Sequence, residues 1–346
     1  MTRLQFSVDR GGSYGMVVAC LVVVGLLVLL PLFVGNATLR LATEMACYLI
    51  LAMMWNMLAG YAGLMSIGQQ VFVGLGGYTL FALSGPLGVP VLLALPLSAL
   101  SALALSIPLA VVLFRLNGAY FAVGSWVVAE IVALIVAQST QLGSGSGMSF
   151  PVSAARSLGT GSDRAATIWW CALGAAVVAQ ASVYLLLRSP RGLALMAMRD
   201  NAVAAGALGV RTVQNKVLVY GAAAFASGIA GAILFLVKLR ISPAAAFDVN
   251  EWTASIIFIV VIGGLGHLEG PLIGVLVFFA LRGLLSDLGA WYLIILGMVA
   301  IAVMLKAPTG LWGILQTRFN IELFPIRRSV LLRQSETSAF TRNKTS

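Results

Sequence analysis

The chain has 346 residues, of which 60% are hydrophobic and only 9% charged, with 37 glycines. Soluble domains carry roughly 25% charged residues, so a water-soluble globule of this size is excluded, as are a disordered chain and a collagen-like one. A polytopic membrane protein remains. The net charge of +10 does not mark a nucleic-acid binder, because the basic residues fall between apolar runs instead of grouping with aromatics on one surface.

Apolar runs occupy 15–34, 45–62, 67–84, 89–114, 118–138, 166–187, 217–237, 252–264, 271–281 and 289–305. Most reach the ~20 residues that carry a helix across ~30 Å of hydrocarbon. The eighth and ninth are short, and Pro271, after the turn Gly263-Gly264-Leu265-Gly266, stands where a helix starts. That suits two segments joined by a tight turn. The expected fold is all-α and polytopic, with about ten transmembrane helices and eight or nine as the alternative. Arg3 and Arg10 before the first run imitate a secretory signal, but the run is longer than a typical signal core and no A-x-A site follows Pro31; it reads as the first membrane helix.

Three regions follow: an N-terminal stretch over 1–14, a membrane domain over 15–313 with a long loop at 188–216, and a polar, basic tail over 314–346 that suits a membrane surface. Ten crossings with the N-terminus inside put fifteen of the 21 basic residues in the cytoplasm, Arg115, Arg188, Arg191 and Lys216 among them. Arg40, Arg156, Arg164, Lys238, Arg240 and Arg282 fall outside. The bias obeys the positive-inside rule and makes both termini cytoplasmic. Gly60 and Gly63, ending the second run, recur as Gly263 and Gly266 ending the eighth, 203 residues on in both cases. The echo points to an internal duplication, an arrangement common among transporters, or to a chance match in a Gly-rich chain.

The loop 188–216 breaks at Arg188-Ser189-Pro190-Arg191-Gly192 and continues as a short helix over 193–199. Asp200 or Asn201 then caps a second helix, 202–208, with Gly209 as its left-handed end. Leu193, Met196, Val203 and Ala207 make a modest apolar stripe, which suits a helix resting on headgroups or one docking a cytoplasmic partner. Of the four lysines, only Lys344 precedes a Thr, and it lacks the glycines of a P-loop. The chain is therefore not expected to hydrolyse nucleotide. His267 is the only histidine, which excludes an HExxH zinc site and leaves a Ser-His-Asp triad no base outside a Gly-rich turn. Cys20, Cys47 and Cys171 have neither disulfide nor metal-ligand spacing. No catalytic residue, metal site or bound cofactor is assigned.

Glu130 lies deep in the fifth run, where an acid costs roughly 2.5–3.5 kcal/mol, so it is expected to face the bundle interior and find a partner. Proton coupling in a secondary transporter, structural hydrogen bonding and a site near the helix end reached by water are all open to it. Asn56, Ser66, Gln69, Gln70, Tyr78, Ser125 and Thr253 are expected to face protein or water along a path, because lipid cannot satisfy their side chains; Glu130 and Ser255 join them as candidates. Gly74-Leu75-Gly76-Gly77, and Gly221, Ala224, Ser227, Gly228 and Gly231, predict close helix packing. A membrane enzyme would need converging catalytic groups, and only His267 with Glu269 nearby offers any.

Gly60-Tyr61-Ala62-Gly63-Leu64 with Ser66-Ile67-Gly68-Gln69, then Phe72 and Gly74-Leu75-Gly76-Gly77-Tyr78, resembles the signature of branched-chain amino acid ABC transporter permeases of the M-subunit type. Gly118-Ala119-Tyr120-Phe121-Ala122, the loop 192–210, Ile241-Ser242-Pro243, Gly263 to Gly266 with Gly270-Pro271 and Gly274, and Ala307 through Gly313 extend the likeness over 45–313. The resemblance implies a bacterial inner-membrane subunit paired with a homologous second permease. Two cytoplasmic ATPases, which use the ATP, would sit beneath, and a periplasmic binding protein would deliver the amino acid. It further implies ATPase coupling through 192–210, with Leu193, Met196, Arg199, Asp200, Ala204, Ala205 and Gly209 on matching positions. Ala202 and Gly206 stand where relatives often carry acids, and Ser255 where they often carry Glu, with Glu251 one turn earlier. Permeases for urea and short-chain amides look similar.

Overall fold

The computed structural model describes residues 6–8, 14–159, 161–285, 289, 291–307, 309–319 and 330–332. Most of the expected N-terminal stretch 1–14 and most of the tail 314–346 lie outside these residues.

The described chain is all-helical apart from four short strands. The first half holds α1 (Tyr14–Val28), α2 (Asn36–Asn56, prolonged by a π-helical turn Met57–Tyr61), α3 (Gln70–Ser84), α4 (Val91–Leu113), α5 (Ala119–Gln138) and α6 (Val152–Arg156). There follow α7 (Ser162–Arg188), α8 (Pro190–Asp200), α9 (Ala202–Ala207), α10 (Thr212–Lys238) and α11 (Pro243–Ala246). A second π-helical turn, Asn250–Ala254, runs into α12 (Ser255–Gly263), and α13 (Gly270–Leu285), α14 (Trp291–Lys306) and α15 (Gly310–Phe319) complete the set. The strands β1 (Phe6–Val8) and β4 (Val330–Leu332) pair antiparallel, as do β2 (Met148–Ser149) and β3 (Arg240–Ile241).

Each of the ten apolar runs is helical, but by length and composition six helices among the described residues can cross a membrane, or seven when the bent pair Ile294–Lys306 and Gly310–Arg318 counts as one span. Cys20–Leu32, Gln70–Ser84 and Gly270–Leu285 are apolar and shorter. The chain is a multi-pass membrane protein, and the expected ten crossings exceed what these lengths license.

Helix α10 is the centre of the bundle and packs against α3, α4, α2 and α7. Small residues explain how. A Cβ on Gly76 would run into the Gly228 carbonyl, and one on Gly231 into the Val73 carbonyl, so α3 and α10 touch backbone to backbone. A Cβ on Gly228 would stand 2.7 Å from Ala102 Cβ, which brings α4 onto the adjoining face. With no hydrophobic drive between helices in lipid, this close approach is what supplies van der Waals contact. Around the start of α12, Tyr48 stacks on Phe278 and packs edge-on to Phe279, while Lys238 lies 4.9 Å above the Trp252 ring and pairs with Glu251 at 2.7 Å. Glu44 and Arg282 pair at 2.8 Å between α2 and α13.

Gly231→Leu is expected to cost more than the ~1–3 kcal/mol of ordinary overpacking, because backbone rather than a side chain must move. Gly297, where an added methyl group would meet nothing within 4 Å, should accept Ala with no loss. Thermal unfolding of the purified protein in detergent would compare the two.

Candidate functional site

Two chain reversals meet at one end of the bundle, residues 62–69 between α2 and α3 and residues 264–269 between α12 and α13. Their glycines Gly63 and Gly266 both take left-handed backbone, φ +70° and +76°, which a side chain rarely adopts. These are the positions of the 203-residue echo, so the repeat seen in the sequence is a repeat of turn geometry. The reversals touch: a Cβ on Gly60 would stand 2.7 Å from Gly266 N.

Non-helical backbone within a membrane bundle must be satisfied by protein or by a water-lined cavity, and side chains do so here. Asn56 accepts from Gly266 N at 2.8 Å and donates to the His267 carbonyl at 2.8 Å, stitching the end of α2 to the second reversal. Trp55 Nε1 donates to the Ser66 carbonyl at 2.8 Å, Ile67 N donates to Ser125 Oγ at 2.9 Å, and Gly68 N donates to Ser66 Oγ at 3.3 Å. Where the first reversal passes into α3, Gln69 Nε2 donates to Ser227 Oγ on α10 at 2.8 Å, and Thr253 Oγ1 donates to Gln70 Oε1.

The structure thus gathers seven of the expected path residues, Asn56, Ser66, Gln69, Gln70, Tyr78, Ser125 and Thr253, into the interior, all buried. Three of them keep an atom with no hydrogen-bond partner among the described residues: Gln69 Oε1, Gln70 Nε2 and Tyr78 OH. Ser255 stands at the edge and donates to the Asn250 carbonyl at 3.2 Å. Glu130 departs from expectation. It is exposed on the outer face of α5 and accepts a 3.1 Å hydrogen bond from Trp126 Nε1, because the inward face of α5 is taken by the small or apolar Phe121, Ser125 and Ala129.

The loop 188–216 holds the two short helices its sequence predicts, but the first starts at Pro190, inside the expected break Arg188 to Gly192, because Pro suits the first turn of a helix. Asn201 caps α9, its Oδ1 accepting from Val203 N at 3.1 Å and Ala204 N at 3.0 Å, and Gly209 has φ +86°. The apolar stripe is split, however. Leu195, Met198 and Ala205 turn inward and are buried, with Met196 half-buried, whereas Leu193, Val203 and Leu208 are 54%, 85% and 85% exposed. Ala204 and Ala207 face out with them. Phasing decides this: Gly192, packed against the Leu187 carbonyl, fixes the roll of α8 and sends Leu195 and Met198, three and six residues on, to the same side.

Arg199, at the end of α8, reaches back into the reversals. Its Nη1 donates to the Gly60 carbonyl at 2.8 Å, while Nε pairs with Asp200 at 3.0 Å. A Cβ on Gly63 would stand 3.3 Å from Arg199 Cα. The loop, the π-helical turn of α2 and both reversals therefore form one contact site. Two participants do not stand out as path residues in the sequence: Ser227, whose place among small residues marks it for packing, and Glu269, buried beside the second reversal.

The family described as branched-chain amino acid transport system / permease component matches residues 37–305. The chain belongs to that family. The LivM high-affinity branched-chain amino acid transport system permease protein of Escherichia coli strain K12 is 28% identical over 304 residues, 81% of this chain and 71% of that protein. Its counterpart in Salmonella typhimurium strain LT2 is 27% identical over the same shares. No solved structure matches the chain. The family match spans both reversals and the whole loop, so the contact site lies inside the permease region.

Asn56→Ala would remove the hydrogen bonds to Gly266 N and to the His267 carbonyl, and the expected loss is about 1–3 kcal/mol. Thermal unfolding in detergent should show it; an unchanged midpoint would mean that the two reversals hold together without the stitch.

Proposed function

We propose that the chain is a translocation subunit of an ATP-driven importer for branched-chain amino acids in a bacterial inner membrane. In this reading it works beside a homologous second permease, above two cytoplasmic ATPases and beneath a periplasmic binding protein. The observation that carries the reading is Arg199: the loop that would meet an ATPase grips, through one guanidinium, the place where the two halves of the bundle turn back.

The outward and inward faces of the loop then have separate tasks. The exposed apolar side chains Leu193, Val203 and Leu208 would meet an ATPase, and Arg199 would pass the displacement to Gly60 and the reversals. Rocking of one half of the bundle against the other about this seam gives alternating access. The unpaired Gln69 Oε1, Gln70 Nε2 and Tyr78 OH supply an acceptor and donors that a zwitterion shedding water would need. A ten-crossing topology with both termini cytoplasmic agrees with the antiparallel pairing of β1 with β4 and with the basic residues of the loop. The chain binds no nucleotide in this scheme; its partners use it. Glu130 on the outer face weighs against an interior proton relay in this chain, and it supports a reading in which α5 meets the second permease, since a mid-helix carboxylate is costly against lipid.

Arg199→Ala in the reconstituted complex should lower ATP-driven uptake about tenfold or more, the rate equivalent of one charge-assisted hydrogen bond, while the complex still assembles. Leu193→Asp with Val203→Asp should instead release the ATPases during purification. Uptake and assembly unchanged in both variants would overturn the loop's role. For α5, a cysteine at Val127 should cross-link to the sister permease; a cross-link absent there and present elsewhere would move the interface.

A further inference from the structure

The bundle leaves a cleft of about 870 Å³ between α2, α4, α7 and α10. Met54 and Leu186, with Phe225 and Ile229, line its body, and Ser189 and Arg191 stand at one end, where α7 gives way to α8. Val178 and Leu218 on its walls are 65% and 37% exposed, so the cleft opens sideways between α7 and α10, onto the surface that a spanning chain turns to the bilayer.

Its chemistry is one-sided. The Ser182 and Ser189 hydroxyls are spent on carbonyls of their own helix, Val178 at 2.7 Å and Leu186 at 2.6 Å. Arg188, one turn from the cleft end, is engaged by Tyr184 at 2.7 Å. Arg191 is exposed, and none of the hydrogen bonds or ion pairs among the described residues involves its guanidinium. An amino-acid zwitterion would need partners for an ammonium and a carboxylate, and no acid lines the cleft among the described residues. A long apolar body with a single cation at its end fits one class of molecule.

We propose that this cleft is a binding site for an anionic phospholipid, with an acyl chain along α7 and α10 and the phosphate on Arg191. A bound lipid would sit at the root of α8, the helix whose other end carries Arg199. Hydrocarbon fills the apolar walls as the bilayer would, and the guanidinium selects the headgroup by charge, a contact typical of juxtamembrane arginines.

The test uses the full chain, purified and delipidated, then titrated with mixed micelles of phosphatidylglycerol or phosphatidylcholine and read by native mass spectrometry. Wild type should retain one phosphatidylglycerol in preference to phosphatidylcholine. Arg191→Gln should weaken phosphatidylglycerol about fivefold, the worth of one basic side chain near an anionic lipid, and leave phosphatidylcholine unaffected. Ala222→Trp, at an exposed lining position of α10, should abolish retention of both. Arg191→Gln alters an exposed side chain, so it remains informative if the tryptophan variant does not elute as a folded species. Equal retention of the two lipids by wild type, or an unchanged preference in Arg191→Gln, would overturn the proposal. So would a cleft that excludes lipid in the assembled complex because another protein covers it. Loss of lipid selectivity with uptake intact would separate this site from the transport reading, which does not depend on it.

Discussion

A backbone that leaves the helix inside hydrocarbon must carry its own hydrogen-bond partners, and this bundle breaks its helices twice at the same place. Everything distinctive at that end of the molecule follows from meeting the demand. Asn56 answers two groups of the second reversal with one amide, Trp55 and Ser125 answer the first, and the π-helical turn Met57–Tyr61 leaves the Gly60 carbonyl for Arg199. Glycine at 60 is the steric condition for the arrangement, since a Cβ there would stand 2.7 Å from Gly266 N, and glycine at 63 and 266 meets the left-handed backbone of the two turns.

The same constraint gives polar residues two kinds of place. Asn56, Ser66 and Ser125 are occupied by backbone, so their burial is explained without substrate. Gln69, Gln70 and Tyr78 are buried as deeply and yet keep atoms with no partner among the described residues. A buried polar atom without a partner costs about 1–3 kcal/mol, so these three are the atoms at which an added partner would contribute most. The distinction sorts the candidates for a path more sharply than residue type does.

Much of this is legible in the sequence, and the reasons are local. Asn201 as cap, Gly209 as left-handed end, and the paired glycines 203 residues apart all depend on short-range backbone rules, which composition and spacing express directly. The small residues of α10 foretell close packing for the same reason. What escapes depends on helix roll and on distant partners. Sequence places Glu130 inside because its depth along α5 is readable while its direction is not, the helix being apolar almost all round. The stripe of Leu193, Met196, Val203 and Ala207 follows from period alone, but the contact of Gly192 with the Leu187 carbonyl rotates α8 so that Leu195 and Met198 go under. Nothing near Arg199 in sequence says that its hydrogen-bond acceptor is 139 residues away.

Helix α8 is held at both ends. At its root Gly192 sits against the last turn of α7, and at its tip Arg199 is bonded to Gly60 at the end of α2. Eleven residues of helix are about 16 Å long, too short to bend appreciably between two fixed points. A force on the exposed face carrying Leu193 is therefore delivered to the contacts at the ends in place of being absorbed along the helix. The root contact lies against α7 and the cleft, and the tip contact lies against the reversals, where backbone meets backbone with no side chain between. Under the transport reading, a displacement entering at α8 arrives at the reversals, the first of which ends at Gln69 with Gln70 opening α3 directly after it.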